Sequence, residues 1–270
     1  MAAVTTAADV AAAITSALPA VPRPVSVDGF LDGDPAAPVT GVVVTTMATL
    51  DVLRTAVRLG ANLVITHEPL YFDHQDAARG ALAGENDPVY NVKRAFVRDH
   101  GIVIWHLHDQ QHDTRPDGID AATAAALGWD LDLVEAASGA AVATLEPITL
   151  GNLARHVGET LDARALRYLG DPGAVVTRVG LDLGFRGFAR NRALLRRPDI
   201  DVLICGEVHE WETGAYAVDA VAAGVAVGLV VVGHIPSEQS AMRTLAGWLP
   251  RVLPDLPVQF VPTPDTFRAP

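Results

Sequence analysis

The sequence predicts an α/β protein built from two similar halves. Three observations carry that reading. Short apolar runs bounded by Gly, Pro and polar clusters recur along the chain: Val42-Val43-Val44, Leu63-Val64-Ile65, Ile102–Trp105, Val202–Cys205 and Val225–Val232. Each has the length and β-branched content of a buried strand. Stretches with helical spacing alternate with them, and a strand–helix–strand succession implies a parallel pair. The third observation is a weak internal repeat. Val42–Val44, a helix, then LVITHE has an echo in Val179-Gly180-Leu181, a helix, then VLICGE.

In chain order, an Ala-rich first helix with Thr5 or Thr6 as its N-cap leads into the Pro-rich connector Pro19–Pro24. Gly29–Pro38 reads as a loop by its Gly, Asp and Pro content. Gly41–Thr46 is a strand, Leu50–Leu59 a helix closed by Gly60, and the Leu63 strand follows. Asp73–Asp87 is a polar loop, Val89–Asp99 a helix and Ile102–Trp105 a strand. The His- and Asp-rich stretch WHLHDQQHDTRPDGID comes next, then the short helix Ile119–Leu127.

Residues from about Trp129 to Glu146 read as a crossing segment. Beyond it, Thr149 caps a helix to Leu161, and strands follow near Ala165–Tyr168 and at Val176–Leu183. A helix at Phe188–Leu195, the strand Val202–Cys205, a helix at Trp211–Ala223, the strand Val225–Val232 and a helix at Ser237–Leu249 complete the pattern. Val258–Val261 is a short edge strand between Pro257 and Pro262. The expected units are residues 1–130 and 131–270, with the segment from about 225 returning to complete a shared site.

Composition narrows the function classes. The chain has 270 residues, half of them hydrophobic, and a net charge of -12. That charge argues against nucleic-acid binding and against adhesion to anionic membranes. A single cysteine, Cys205 in the apolar run VLICG, excludes an internal disulfide and a thiolate metal cluster, and it reads as a core thiol. No run approaches the ~18 apolar residues of a membrane span. The N-terminal segment has no Lys or Arg before Arg23, which makes a poor signal peptide. The expected compartment is the cytoplasm. There is no phosphate-binding Gly-rich loop with Lys and no Gly-x-Ser-x-Gly elbow, and Gly184-Phe185-Arg186-Gly187 is only half a dinucleotide fingerprint.

The residues that could carry chemistry are imidazoles and carboxylates at strand ends. His67 and Glu68 follow the Leu63 strand, and His106, His108 and His112 follow the Ile102 strand. Glu207-x-His209-Glu210 follows the Val202 strand. His234 stands at the end of the Val225 strand, with Glu238 expected in the first turn of the next helix. Ligands in an α/β sheet gather at such positions. Six donors of this kind would exceed one tetrahedral zinc site. They suit two divalent ions, zinc, iron or manganese, about 3.5–4 Å apart with open positions. A Glu in a first helical turn is also what the helix dipole favours, and a solvated polar loop is the competing reading of the His cluster.

The order of motifs resembles the NIF-three-like family of dinuclear metal centre proteins, also called GTP cyclohydrolase 1 type 2 homologues. The residues concerned are Thr66-His67-Glu68-Pro69-Leu70, His108-Asp109-Gln110-Gln111-His112, Cys205-Gly206-Glu207-Val208-His209 and Gly233-His234-Ile235-Pro236-Ser237-Glu238. In the family pattern the position of Glu68 is a His and that of His112 an Asp, a reciprocal exchange that preserves donor count and charge. The resemblance implies His67, His108, His234 and Glu238 as ligands, with Glu238 bridging. It also implies two intertwined three-layer α/β/α units with mixed, mostly parallel sheets, assembled as a hexamer.

The function expected is a metal-dependent, cyclohydrolase-like hydrolase acting on a small, nucleotide-like molecule. A metal-bound hydroxide would be the nucleophile, and Glu207 or His209 would handle protons. The alternative is a metal-binding assembly or regulatory protein without turnover.

Overall fold

The computed structural model describes residues 5–268 apart from residue 22, residue 76 and residues 134–140. The chain divides into two compact units. The first comprises Met1–Arg115 and Met242–Thr263, the second Pro116–Ala241 and Pro264–Pro270. Each contains one mixed sheet, so the α/β class expected from the sequence is what the chain adopts.

In the first unit, β1 (Gly29–Asp32), β2 (Val42–Thr45), β3 (Leu63–Thr66), β4 (Val103–His106) and β11 (Val258–Phe260) form a sheet in the order β1-β4-β3-β2-β11. The strands β4, β3, β2 and β11 are parallel, and β1 runs antiparallel on the edge. Register aligns Val43, Val64 and Ile104 on one face and Val44, Ile65 and Trp105 on the other. Alternation puts the two rows in separate cores. The first packs with α2 (Leu50–Arg58) and α4 (Pro88–Asp99). The second packs with α1 (Ala7–Ala17) and with Met242, Leu245 and Leu249. Burying each such side chain contributes about 1.5–3 kcal/mol relative to leaving it in water. Helix α1 starts where its cap dictates, with the Thr6 side chain accepting from the Asp9 N–H and the Asp9 carboxylate accepting from Thr6.

The second unit's sheet has the order β5-β6-β8-β9-β10-β7. Its strands are β5 (Leu131–Leu133), β6 (Ala141–Thr149), β7 (Arg167–Leu169), β8 (Val175–Asp182), β9 (Val202–Cys205) and β10 (Gly228–Val231). The centre, β8-β9-β10, is parallel, while β5, β6 and β7 pair antiparallel. One face packs with α6 (Gly118–Leu127) and α7 (Leu150–Thr160), the other with α8 (Phe188–Leu195) and α9 (Ala215–Ala222). The internal repeat thus corresponds to two parallel β-α-β units, β2-α2-β3 and β8-α8-β9. Cys205 is buried, and burial raises its thiol pKa, as expected of an inert core residue.

Several local expectations are corrected. Gly29–Asp32 is a strand rather than loop, because β4 supplies a partner some seventy residues away. The polar segment after Phe72 contains the helix α3 (Ala77–Gly84). The described part of the expected crossing segment falls mostly in β5 and β6, with residues 134–140 of it outside the described residues. The helix expected to begin at Ser237 begins at His234, as α10 (His234–Trp248), since Pro236 is tolerated in a first turn. The helix expected from Trp211 opens with a π-helical turn, Glu210–Gly214. Among the described residues, no helix is long and apolar enough to cross a membrane.

Candidate metal centre

The first unit gathers four of the predicted donors. Parallel pairing sets Thr66 of β3 beside His106 of β4, so His67 and His108 emerge at the same carboxyl edge of the sheet. The His108 ring stacks on that of His67 at 4.6 Å and meets His112 edge-on at 4.7 Å. One donor atom from each of His67, His108 and His112 lies within 4.8 Å of the other two. His112 reaches the group through α5 (Asp109–His112), a single turn. Glu68 is buried beside them, with Oε1 4.0 Å from His67 Nε2.

A fifth donor escaped the sequence reading. His74, in the loop after Phe72, places Nε2 3.3 Å from Glu68 Oε2. Its ring lies 4.6 Å from His108. Glu68, His74 and His108 form a second set with donor atoms within 4.8 Å of one another. By contrast His106 is held between two backbone carbonyls, with Nδ1 2.9 Å from Val27 O and Nε2 2.9 Å from His67 O. It braces the strand ends.

The loop carrying His108 is fixed from outside. The Asp28 carboxylate accepts the backbone N–H groups of His108, Asp109 and Gln110 at 2.6, 2.7 and 3.0 Å. Asp109 accepts from His108 Nδ1 at 3.0 Å and from Val27 N at 2.9 Å. Arg23 reaches Asp109 at 2.9 Å and clamps Asp113 with two bonds of 2.6 Å. Burial works to raise the Asp109 pKa, but these hydrogen bonds and Arg23 outweigh it and hold the group below the ordinary carboxylate range. Burial, then the neighbouring His67 and His112, push His108 down to about 3. A neutral His108 with its Nδ1 proton committed to Asp109 keeps Nε2 as a lone-pair donor. That is the arrangement metal-bound histidines adopt. Arg23 and Asp28 lay hidden from the sequence because they stand some eighty residues from the loop they hold.

In the second unit, His234 and Glu238 share the first turns of α10, correcting the strand-end position expected for His234. His234 Nε2 lies 3.1 Å from Glu238 Oε2, and its Nδ1 lies 3.1 Å from Glu207 Oε1. Glu238 is buried against Gly184, where a Cβ would meet Oε1 at 2.1 Å, and Gly184 has φ of +67°. Gly206 is equally constrained, since a Cβ there would lie 2.5 Å from Ser237 Oγ and 2.6 Å from Gly184 N. Glu207 therefore sits beside His234, its N–H donating to Gly184 O at 2.9 Å. His209 is half exposed, bonded to Glu212 at 2.9 Å and flanked by the rings of Phe185 and Trp211.

The fold and these donors define an α/β protein of two mixed sheets whose first unit gathers imidazole and carboxylate groups that could hold a metal ion. The chain belongs to the Duf34/NIF3 (NGG1p interacting factor 3) family, whose model matches residues 8–266. It is 27% identical over 194 residues to a GTP cyclohydrolase 1 type 2 homolog of Clostridium acetobutylicum, covering 66% of this chain and 67% of that one. Its fold resembles that of a Bacillus cereus protein related to NIF3, with a TM-score of 0.75 at 16% identity, covering 98% of this chain and 99% of the other. It also resembles protein ybgI, of unknown function, with a TM-score of 0.76 at 23% identity, covering 97% and 100%.

Proposed function

We propose that the chain is a metal-dependent hydrolase of the cyclohydrolase kind. It would hold two divalent ions, zinc, iron or manganese, through His67, Glu68, His108, His112, His234 and Glu238. The observation that carries the reading is the imidazole group around His108, kept neutral by burial and by its neighbouring imidazoles and oriented by Asp109. For His234 and Glu238 the support is their motif order and the carboxylate–imidazole–carboxylate series formed with Glu207 inside the second unit. The description of the Clostridium relative as a GTP cyclohydrolase homologue supports a small, nucleotide-like substrate. The resemblance to the family supports a homohexamer.

Divalent ions at such residues supply Lewis-acid activation of water and of the bond to be cleaved. The chain's own groups divide the remaining work. Asp109 and Glu207 hold protons at Nδ1 of His108 and of His234, leaving Nε2 of each to bind. His209, half exposed and paired with Glu212, can exchange a proton with solvent. Glu207, also half exposed and bonded to His234, would be the second proton-handling group.

Metal analysis of the purified chain tests the binding reading: two ions per chain are expected, and about one would sink the dinuclear assignment. A screen of purine nucleotides for metal-dependent hydrolysis, with Glu238→Gln as control, tests the catalytic reading. Activity that survives Glu238→Gln would remove the site proposed here. Full metal content without turnover of any nucleotide would favour the non-enzymatic alternative.

A further inference from the structure

The first unit contains a donor that the motifs do not account for. We propose that His74 is a metal ligand, acting with Glu68 and His108 at the solvent-facing side of the His cluster. The inference deepens the metal-binding reading above and rests on it.

Two donors bound to one tetrahedral ion at about 2.0–2.2 Å lie roughly 3.3–3.6 Å apart. His74 Nε2 and Glu68 Oε2 are 3.3 Å apart, the edge length such an ion requires. The other Glu68 oxygen points toward His67 Nε2 at 4.0 Å, so the carboxylate presents one oxygen to each imidazole. His108 offers the third donor, its ring edge-on to His74 at 4.6 Å and its Nδ1 already committed to Asp109. The His74 ring is further held by stacking on His106 at 5.5 Å.

Glu68 is buried while the His74 side chain remains 39% exposed. A carboxylate taken out of water needs a compensating charge or hydrogen bonds. A cation between Glu68 and His74 provides one, and a protonated His74 pairing with Glu68 is the competing account. Being the exposed member, His74 would be the ligand most readily exchanged. Its loss should weaken binding and speed release while the inner donors keep their places.

The test uses the full chain loaded with Co2+, with affinity read by chelator competition and imidazole ligands counted by X-ray absorption. His74→Ala removes the ring. His74→Phe keeps a ring against His106 but has no donor atom. Both should weaken one Co2+ site by at least about tenfold, the lower bound seen for loss of even an outer-shell partner. Both should also lower the imidazole count, and Gln75→Ala in the same loop should leave both readouts unchanged. If His74 only pairs with Glu68 or packs on its neighbours, both variants will bind Co2+ within twofold of the parent with an unchanged imidazole count. That result overturns the proposal. A parallel His67→Ala variant separates the two levels. Loss of metal there with none in the His74 variants refutes His74 alone, whereas metal retained in all of them refutes the assignment of the metal to this His cluster.

Discussion

Replacing Asp109 with Ala should loosen His108 and weaken metal binding without unfolding the chain. Four interactions are lost: the bond from His108 Nδ1 at 3.0 Å, the bond from Val27 N at 2.9 Å, a bond from the exposed Ser26, and the Arg23 ion pair at 2.9 Å. Hydrogen bonds to a charged group contribute about 1.5–3 kcal/mol each. The Arg23 side chain is 39% exposed, so its pair adds at most about 1 kcal/mol. The two backbone-and-ring bonds and the pair together should cost the metal-free chain roughly 3–7 kcal/mol in urea unfolding. Metal affinity should fall about 10–100-fold, or about 1.4–2.7 kcal/mol, since the imidazole is no longer held in one tautomer and one orientation. Asp109→Asn is the sharper variant. One amide oxygen can accept from His108 or from Val27 but not from both, because the amide nitrogen is a donor. Its affinity should fall between those of the parent and of Asp109→Ala. Chelator competition with Co2+ on the three proteins measures this. An Asp109→Ala affinity within twofold of the parent would show that the Asp109–His108 bond does not prepare a ligand, whatever it does for stability.

Two further outcomes follow from the geometry. Lys93 is buried, its ammonium donates to Leu70 O at 2.7 Å, and burial lowers its pKa to about 8. Between about pH 8 and 10.5 the unfolded chain holds the proton that the folded chain has released, so stability should rise with pH, by about 3 kcal/mol in all. Lys93→Met should flatten that rise in pH-dependent urea titrations, and an equal rise in the variant would refute the assignment. Gly184→Ala should lower Tm more than Gly128→Ala. Both have positive φ, which costs an alanine about 1–2 kcal/mol in the left-handed region, but only at Gly184 does the new Cβ meet Glu238. Equal losses would mean that the Glu238 contact costs nothing.

Much of the architecture was legible because buried strands and amphipathic helices announce themselves locally. The runs LVIT and VLIC are strands because their residues can be buried on both faces, which a central parallel strand requires. Phe188–Leu195 and Val202–Cys205 lie where their pattern puts them, and Thr6 and Thr149 cap the helices expected of them. What misled local reading was pairing at a distance. Gly29–Asp32 has loop composition and becomes a strand only because β4 has an open edge.

The donor residues follow the same division. Strand ends, imidazoles and carboxylates offered His67, Glu68, His106, His108 and His112, the resemblance to the family selected four of them, and the first unit brings those four together. Residue types and local periodicity determined that this chain is an α/β protein with imidazole and carboxylate side chains at the carboxyl ends of its strands. Only the tertiary structure decided which groups orient those side chains. Asp28 and Asp109 brace the His108 loop, His106 is a brace instead of a donor, and His74 joins Glu68. The physical reason is that hydrogen bonds and coordination act over about 3 Å in space. Parallel pairing of β3 with β4 brings together residues that are some forty positions apart in the chain.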